Sequence, residues 1–181
     1  QTAKILRGLS DVAPPDLLSL LDLVALATVC DVVPLTGVNR AFVVKGLQMA
    51  RQQKNEGLAA LARVSRIGEP ISTFHLAYLI GPRINAGGRI GDAALGSRLL
   101  ATDDPVEART IAETLDRLNQ ERQLMEQEML AAARAEADAE LAGGSGPAIV
   151  VTASNSWHPG IVGLLASRLK DHSRRPAFAI A

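Results

Sequence analysis

The chain has 181 residues, 48% of them apolar, and nineteen basic side chains balance nineteen acidic ones to a net charge of zero. That length and apolar content suit one ordinary domain or two small ones with a real core, and exclude a disordered chain. The neutral balance excludes a broad positive field, so any nucleic-acid surface has to be local. The single cysteine, Cys30, excludes an internal disulfide and a cysteine zinc cluster.

No basic-plus-apolar leader opens the sequence, and no apolar run approaches the ~18 residues that span a membrane. A cytoplasmic setting without a membrane partner is therefore expected. Gln1 in place of Met, and a final PAFAIA that reads as a strand cut as it forms, lead to the expectation that the chain is a piece of a longer protein.

From Pro14 and Pro15 the stretch PPDLLSLLDLVALATVC repeats leucine and alanine at helical spacing and predicts a buried helix ending near Cys30. Pro34 and Gly37 break the pattern, after which Arg40 to Arg51, Glu56 to Val64 and Ser72 to Ile80 read as three shorter helices. GPRINAGGRIGD, residues 81–92, packs four glycines and a proline into twelve positions and predicts an irregular loop before a helix over Ala93 to Leu100. Asp104, Pro105 and Glu107 then spell a capped helix start with a capping box.

Nothing interrupts this last helix until Gly143 and Gly144, so at ~1.5 Å per residue it reaches roughly 57 Å. Ile111, Leu115, Leu118, Met125 and Met129 lie along one face, whereas AAARAEADAELA offers alanine and charge. The pattern predicts a helix that packs at one end and bridges at the other, with a coiled-coil arm as the alternative. AIVVTA, the helix Ile161 to Lys170 and AFAIA then form a βαβ unit with parallel strands and a right-handed crossover.

Three stretches carry chemistry. In SNSWHPGIVGLLASRL, residues 154–169, a polar loop precedes a helix at the carboxyl end of a strand, where free amides hold anions. Ser154, Asn155 and Ser156 offer donors, His158 can donate to phosphate or cap the helix, and Gly160 and Gly163 allow close backbone approach. Trp157 has two open readings, a base-stacking ring or a plug between domains. In ATVCDVVPL, Asp31 is the one charge in an apolar run, either a structural hydrogen-bonding group or a metal ligand. In GPRINAGGRI, Arg83 and Arg89 flank Asn85 in an arrangement that can converge on a phosphate or remain solvated.

Taken together, LDLVALATVCDVVPL, GPRINAGGRI and SNSWHPGIVGLLASRL resemble the bacterial RecJ-type single-strand-specific exonucleases of the DHH phosphoesterase superfamily, and the resemblance runs along essentially the whole chain. It implies an α/β fold with the helical end of a DHH domain over 1–103, a connecting helix and linker over 104–144, and the start of an α/β DHH-associated domain over 145–181. The site implied lies in the cleft between the two domains, where manganese or magnesium, held by aspartates and histidines of the first, activates water to cut a phosphodiester from the 5′ end. Asp31 falls where the family's last metal-binding aspartate stands. Asp31, from the match, and His158, from its place in the loop, are the expected catalytic residues, and Arg83, Asn85, Arg89, Ser154, Asn155, Trp157, His158 and Gly160 the expected nucleic-acid contacts.

The partners implied are single-stranded DNA and proteins of repair, recombination or replication. The family's Asp-rich and Asp-His-His motifs are absent from these residues, as is the glycine-rich end of the second domain, so the chain alone is expected to be inactive and to hold no metal. NAGG also stands where the family more often has NAAG. Two other readings remain: a DHH phosphodiesterase of short oligonucleotides or cyclic dinucleotides, and a catalytically silent single-strand-binding member.

Overall fold

The computed structural model describes residues 16–142 and 146–181. Pro14 and Pro15, where the first helix is expected to open, and Gly143 and Gly144, which mark the expected linker, lie outside them. Among the described residues no helix is long and apolar enough to cross a membrane.

Seven α-helices and two strands follow in the described chain. α1 (Leu21–Cys30) and α2 (Gly37–Ala50) pack closely, and α3 (Glu56–Val64) is capped by Asn55, whose side chain accepts from the Leu58 amide. His75–Ile80 winds as a π-helix and runs straight into α4 (Gly81–Ile90). α5 (Ala94–Ala101) leads to the long α6 (Pro105–Leu141). β1 (Val150–Ala153), α7 (Val162–Ser173) and β2 (Ala177–Ile180) complete the chain, with β1 and β2 parallel and Val150 opposite Ala177.

The expected loop over 81–92 is overturned, for ten of its residues are helical. Its glycines are there for packing rather than for turning. A Cβ on Gly81 would come within 2.6 Å of Cys30 Sγ, and one on Gly87 within 3.1 Å of a Leu115 methyl. Close helix contacts therefore override the ~1 kcal/mol that each glycine costs a helix. Pro82 cannot donate to the Tyr78 carbonyl, and the widened π turn lies immediately before it; there the Gly81 amide donates to Leu76 O instead.

α6 opens as expected, with Asp104 accepting from the Val106 amide and Pro105 in the first turn. The capping box does not form. Glu107 turns away to accept from Thr102 Oγ1 at 2.6 Å and Arg98 at 2.9 Å, and Thr102 Oγ1 takes the Asp104 amide in its place.

The core has two parts, and α6 runs through both. Ala108, Ile111, Ala112, Leu115 and Leu118 pack with Leu26, Leu61, Leu76, Ile80 and Leu99 in the helical half. Met129, Ala133 and Ala137 pack with Val150, Trp157, Ile161, Leu165 and Leu169 in the βαβ half. The expectation that the alanine-rich end only bridges is thus corrected: Ala133 and Ala137 are fully buried, because small side chains let α7 and the sheet approach the helix closely. Met125, expected on the apolar face, is exposed.

Candidate nucleic-acid cleft

Asp31 caps the carboxyl end of α1 and is exposed, so the burial argument for pairing it does not hold in this chain. The backbone after it is unusual. Val32 is left-handed, with φ 55°, and the Val33 amide returns to Thr28 O, the closure that ends a helix around a glycine. A β-branched residue there is strained by about 1–2 kcal/mol, and strain of this kind gathers at functional sites. Beside it, burial pushes the Cys30 thiol up, and the Asp31 charge adds to the effect.

α4 presents Arg83, Asn85 and Arg89. Arg83 is largely buried and bound: Nε donates to Asp116 at 2.8 Å and Nη1 to Leu79 O at 2.7 Å. Arg89 reaches across the molecule, donating through Nη1 to Gly160 O at 3.2 Å. The two arginines expected to clasp one phosphate therefore serve different ends. Asn85 is exposed.

The loop of residues 154–160 follows β1. Ser154 Oγ and Ser156 Oγ lie 2.8 Å apart, the Ser154 amide donates to Ile180 O, and Asn155 is exposed. His158 Nδ1 accepts from the Gly160 amide at 3.1 Å, which leaves the proton of the neutral ring on Nε2 as a free donor. Trp157 is 7% exposed within the second core, so its ring is spent on packing. Gly160 is close to protein rather than to open solvent, since a Cβ there would strike the backbone of Arg89.

Arg89 and Asn85 line a cleft of about 250 Å³ with Arg122, Glu126 and Arg168, between α4, α6 and α7. Arg122, Glu126 and Arg168 also line an adjoining polar groove of about 400 Å³ that takes in Gln123, Gln127 and Arg134. Taken together, the cleft and the groove are lined by four arginines and one glutamate. Arg122 bonds Glu126 at 2.6 Å and Asn119 at 3.2 Å, while Arg168 touches Glu126 through Nε at 3.4 Å and keeps its terminal nitrogens available. Asn85 also lines the depression beside Asp31, so it is the residue common to the carboxylate and the arginine cleft. Arg122, Arg134 and Arg168 escaped the sequence reading: the i,i+4 pair of Arg122 with Glu126 looks like any solvated helix face, and Arg168 meets that glutamate only across 42 positions of sequence.

A divalent cation needs several oxygen or nitrogen ligands. Among the described residues no group of three His, Cys, Asp or Glu stands close enough to hold one, and the lining around Asp31 is otherwise apolar apart from Asn85 and Cys30. Asp31 offers one carboxylate, which does not amount to a metal centre.

No family model matches the chain. It is 42% identical over 174 residues to the single-stranded-DNA-specific exonuclease RecJ of Salmonella typhimurium strain LT2, covering 94% of this chain and 30% of that protein. RecJ of Thermus thermophilus is 38% identical over 167 residues, covering 92% of this chain and 24% of its own length. The crystal structure of exonuclease RecJ bound to manganese superposes with a TM-score of 0.83 over 97% of this chain and 43% of that one. Thermus thermophilus RecJ with Mg2+ gives 0.82 at 38% identity, over 97% and 27%. The chain thus spans less than half the length of the proteins it matches. Its α/β fold, helix-rich with a small parallel sheet, is that of RecJ over the matched region.

Proposed function

We propose that this chain, RecJ-like in sequence and fold along nearly its whole length, is the cleft-forming portion of a metal-dependent, single-stranded-DNA-specific 5′-to-3′ exonuclease. One observation carries the reading: Asn85 joins the depression holding Asp31 to a cleft in which arginines outnumber acids. Guanidinium groups that grip phosphates beside a carboxylate place a strand's backbone next to the chemistry without reading its bases. Arg89 and Arg168 hold phosphate oxygens, His158 donates from Nε2, and Asp31 is this chain's one carboxylate toward a manganese or magnesium centre. Ser154 and Asn155 supply further donors at the same loop.

The work proposed is DNA repair and recombination in the cytoplasm, with repair or replication proteins as partners; the support is the likeness to enzymes named for single-stranded DNA. The test uses the longer protein that contains this chain. Asp31→Ala should cut manganese-dependent release of nucleotides from labelled single-stranded DNA by several orders of magnitude with the thermal midpoint little changed. Near-normal turnover in a variant that only melts earlier would make Asp31 a structural cap and sink the reading.

A further inference from the structure

The two halves meet at a joint of unusual closeness. The C-terminal turn of α4 and the loop ahead of α7 touch backbone to backbone at Gly160, where any Cβ would collide with the carbonyl oxygen, carbonyl carbon and Cα of Arg89. Arg89 then clamps the same point from the other side, its guanidinium donating to Gly160 O. Collision is with main chain, so no side-chain rotation relieves it.

A second tie lies across the cleft. Glu126, in the middle of α6, accepts from Arg122 on its own helix and from Arg168 on α7, and its side chain is only 14% exposed. Arg122 is fixed in turn by the buried Asn119. Arg89, Glu126 and Arg168 all line the cleft, so both ties border the space whose width they determine.

We propose that Gly160 and Glu126 are positioning residues that set the separation of the two halves, and with it the width of the arginine cleft. The joint follows from the contacts alone; its consequence for a strand rests on the function proposed above. Gly160 sets the closest approach, because only a glycine lets Arg89's backbone seat against the loop. Glu126 adds a polar tie between α6 and α7 beside their apolar contact and keeps Arg168 at the cleft. A side chain at 160 pries the halves apart, and loss of the Glu126 charge loosens the cleft edge of α7 while its buried face stays on α6.

The experiment measures separation directly. In the longer protein that contains this chain, with Cys30→Ala and its other reactive cysteines replaced, spin labels are placed through Gln48→Cys on α2 and Asp171→Cys on α7, both exposed positions, and inter-label distances are read by pulsed electron resonance. Gly160→Ala should lengthen the mean distance and Gly160→Val lengthen it further, while Glu126→Gln should broaden the distribution. Affinity for a fluorescein-labelled oligothymidylate should fall in the same order, by about tenfold for the valine variant if one charged phosphate contact is lost. Distances unchanged in both Gly160→Val and Glu126→Gln overturn the proposal, even if the thermal midpoint falls, for that would mark simple packing. Should the valine variant fail to fold, Glu126→Gln with an unbroadened distribution overturns it alone. A wild-type longer protein that ignores oligothymidylate sinks the nucleic-acid reading instead, and the distances still decide the joint.

Discussion

Among the described non-glycine residues with a left-handed backbone, Val32 is the β-branched one, whose side chain tolerates that conformation least. Its left-handed backbone, one step past Asp31, is the conformation that glycine adopts without cost. Val32→Gly should therefore raise stability in urea titration by about 1 kcal/mol, if relief of strain exceeds the entropy a glycine adds to the unfolded chain. A drop instead would mean that the exposed valine is not strained. Arg83 and Arg89 make the opposite point, because six residues apart on one helix they have unlike roles. Arg83→Ala removes the cation beside Asp116 in a partly buried site and leaves that carboxylate only its hydrogen bond from the Gln120 amide, so it should cost about 1–2 kcal/mol of stability with single-strand affinity kept. Arg89→Ala should weaken affinity and reduce the salt slope by about one unit. Equal effects from both variants in parallel melting and binding assays would refute this division.

At the scale of elements, periodicity and caps made most of the fold legible. α3, α5, α6 and the βαβ unit lie within a few residues of their sequence boundaries, because each has a cap, a break or a β-branched run at its edges. α4 was not legible, since four glycines and a proline argue for a loop and only the partners they pack against, Cys30 and Leu115, argue for a helix. Those partners are distant in sequence. The same holds for Arg83, whose carboxylate partner lies 33 positions on, and for Trp157, whose burial depends on α6. Asp31 stood out as a lone charge, but its exposure did not, because that depends on what packs around the end of α1.

The start of α6 gives a pH signature. Hydrogen bonds from Thr102 and Arg98 hold the Glu107 carboxyl below the usual glutamate range. A lowered folded-state value means stability that is fully present above the unfolded value and lost as pH falls through the folded one. Glu107→Gln should thus melt earlier at neutral pH, and the gap to wild type should close below the lowered value. A gap that persists in acid would assign the effect to shape rather than charge.

For the whole molecule, the likeness to RecJ covers nearly the whole chain, yet each half contributes only part of the cleft: α4 brings Asn85 and Arg89, α7 brings Arg168, and α6 brings Arg122 and Glu126 between them. Composition hid this. A chain with zero net charge places four of its fifteen arginines at a seam that exists only after folding.

That α6 furnishes side chains to both cores has a thermodynamic consequence. Its 37 residues are one hydrogen-bonded rod, and melting either end strips apolar partners from the half that end serves. The two halves should consequently unfold as one cooperative unit, although neither core touches most of the other. Leu124 sits exposed between the last α6 residue of the helical core, Leu118, and the first of the βαβ core, Met129. Leu124→Pro, which removes a backbone donor and kinks the rod where no core residue is lost, should split a single calorimetric transition into two. Hydrogen exchange would then report two protection levels in place of one, the βαβ half opening first because its core is the smaller. A variant that still melts in one transition would mean that the halves are coupled through the Gly160 seam rather than through the rod.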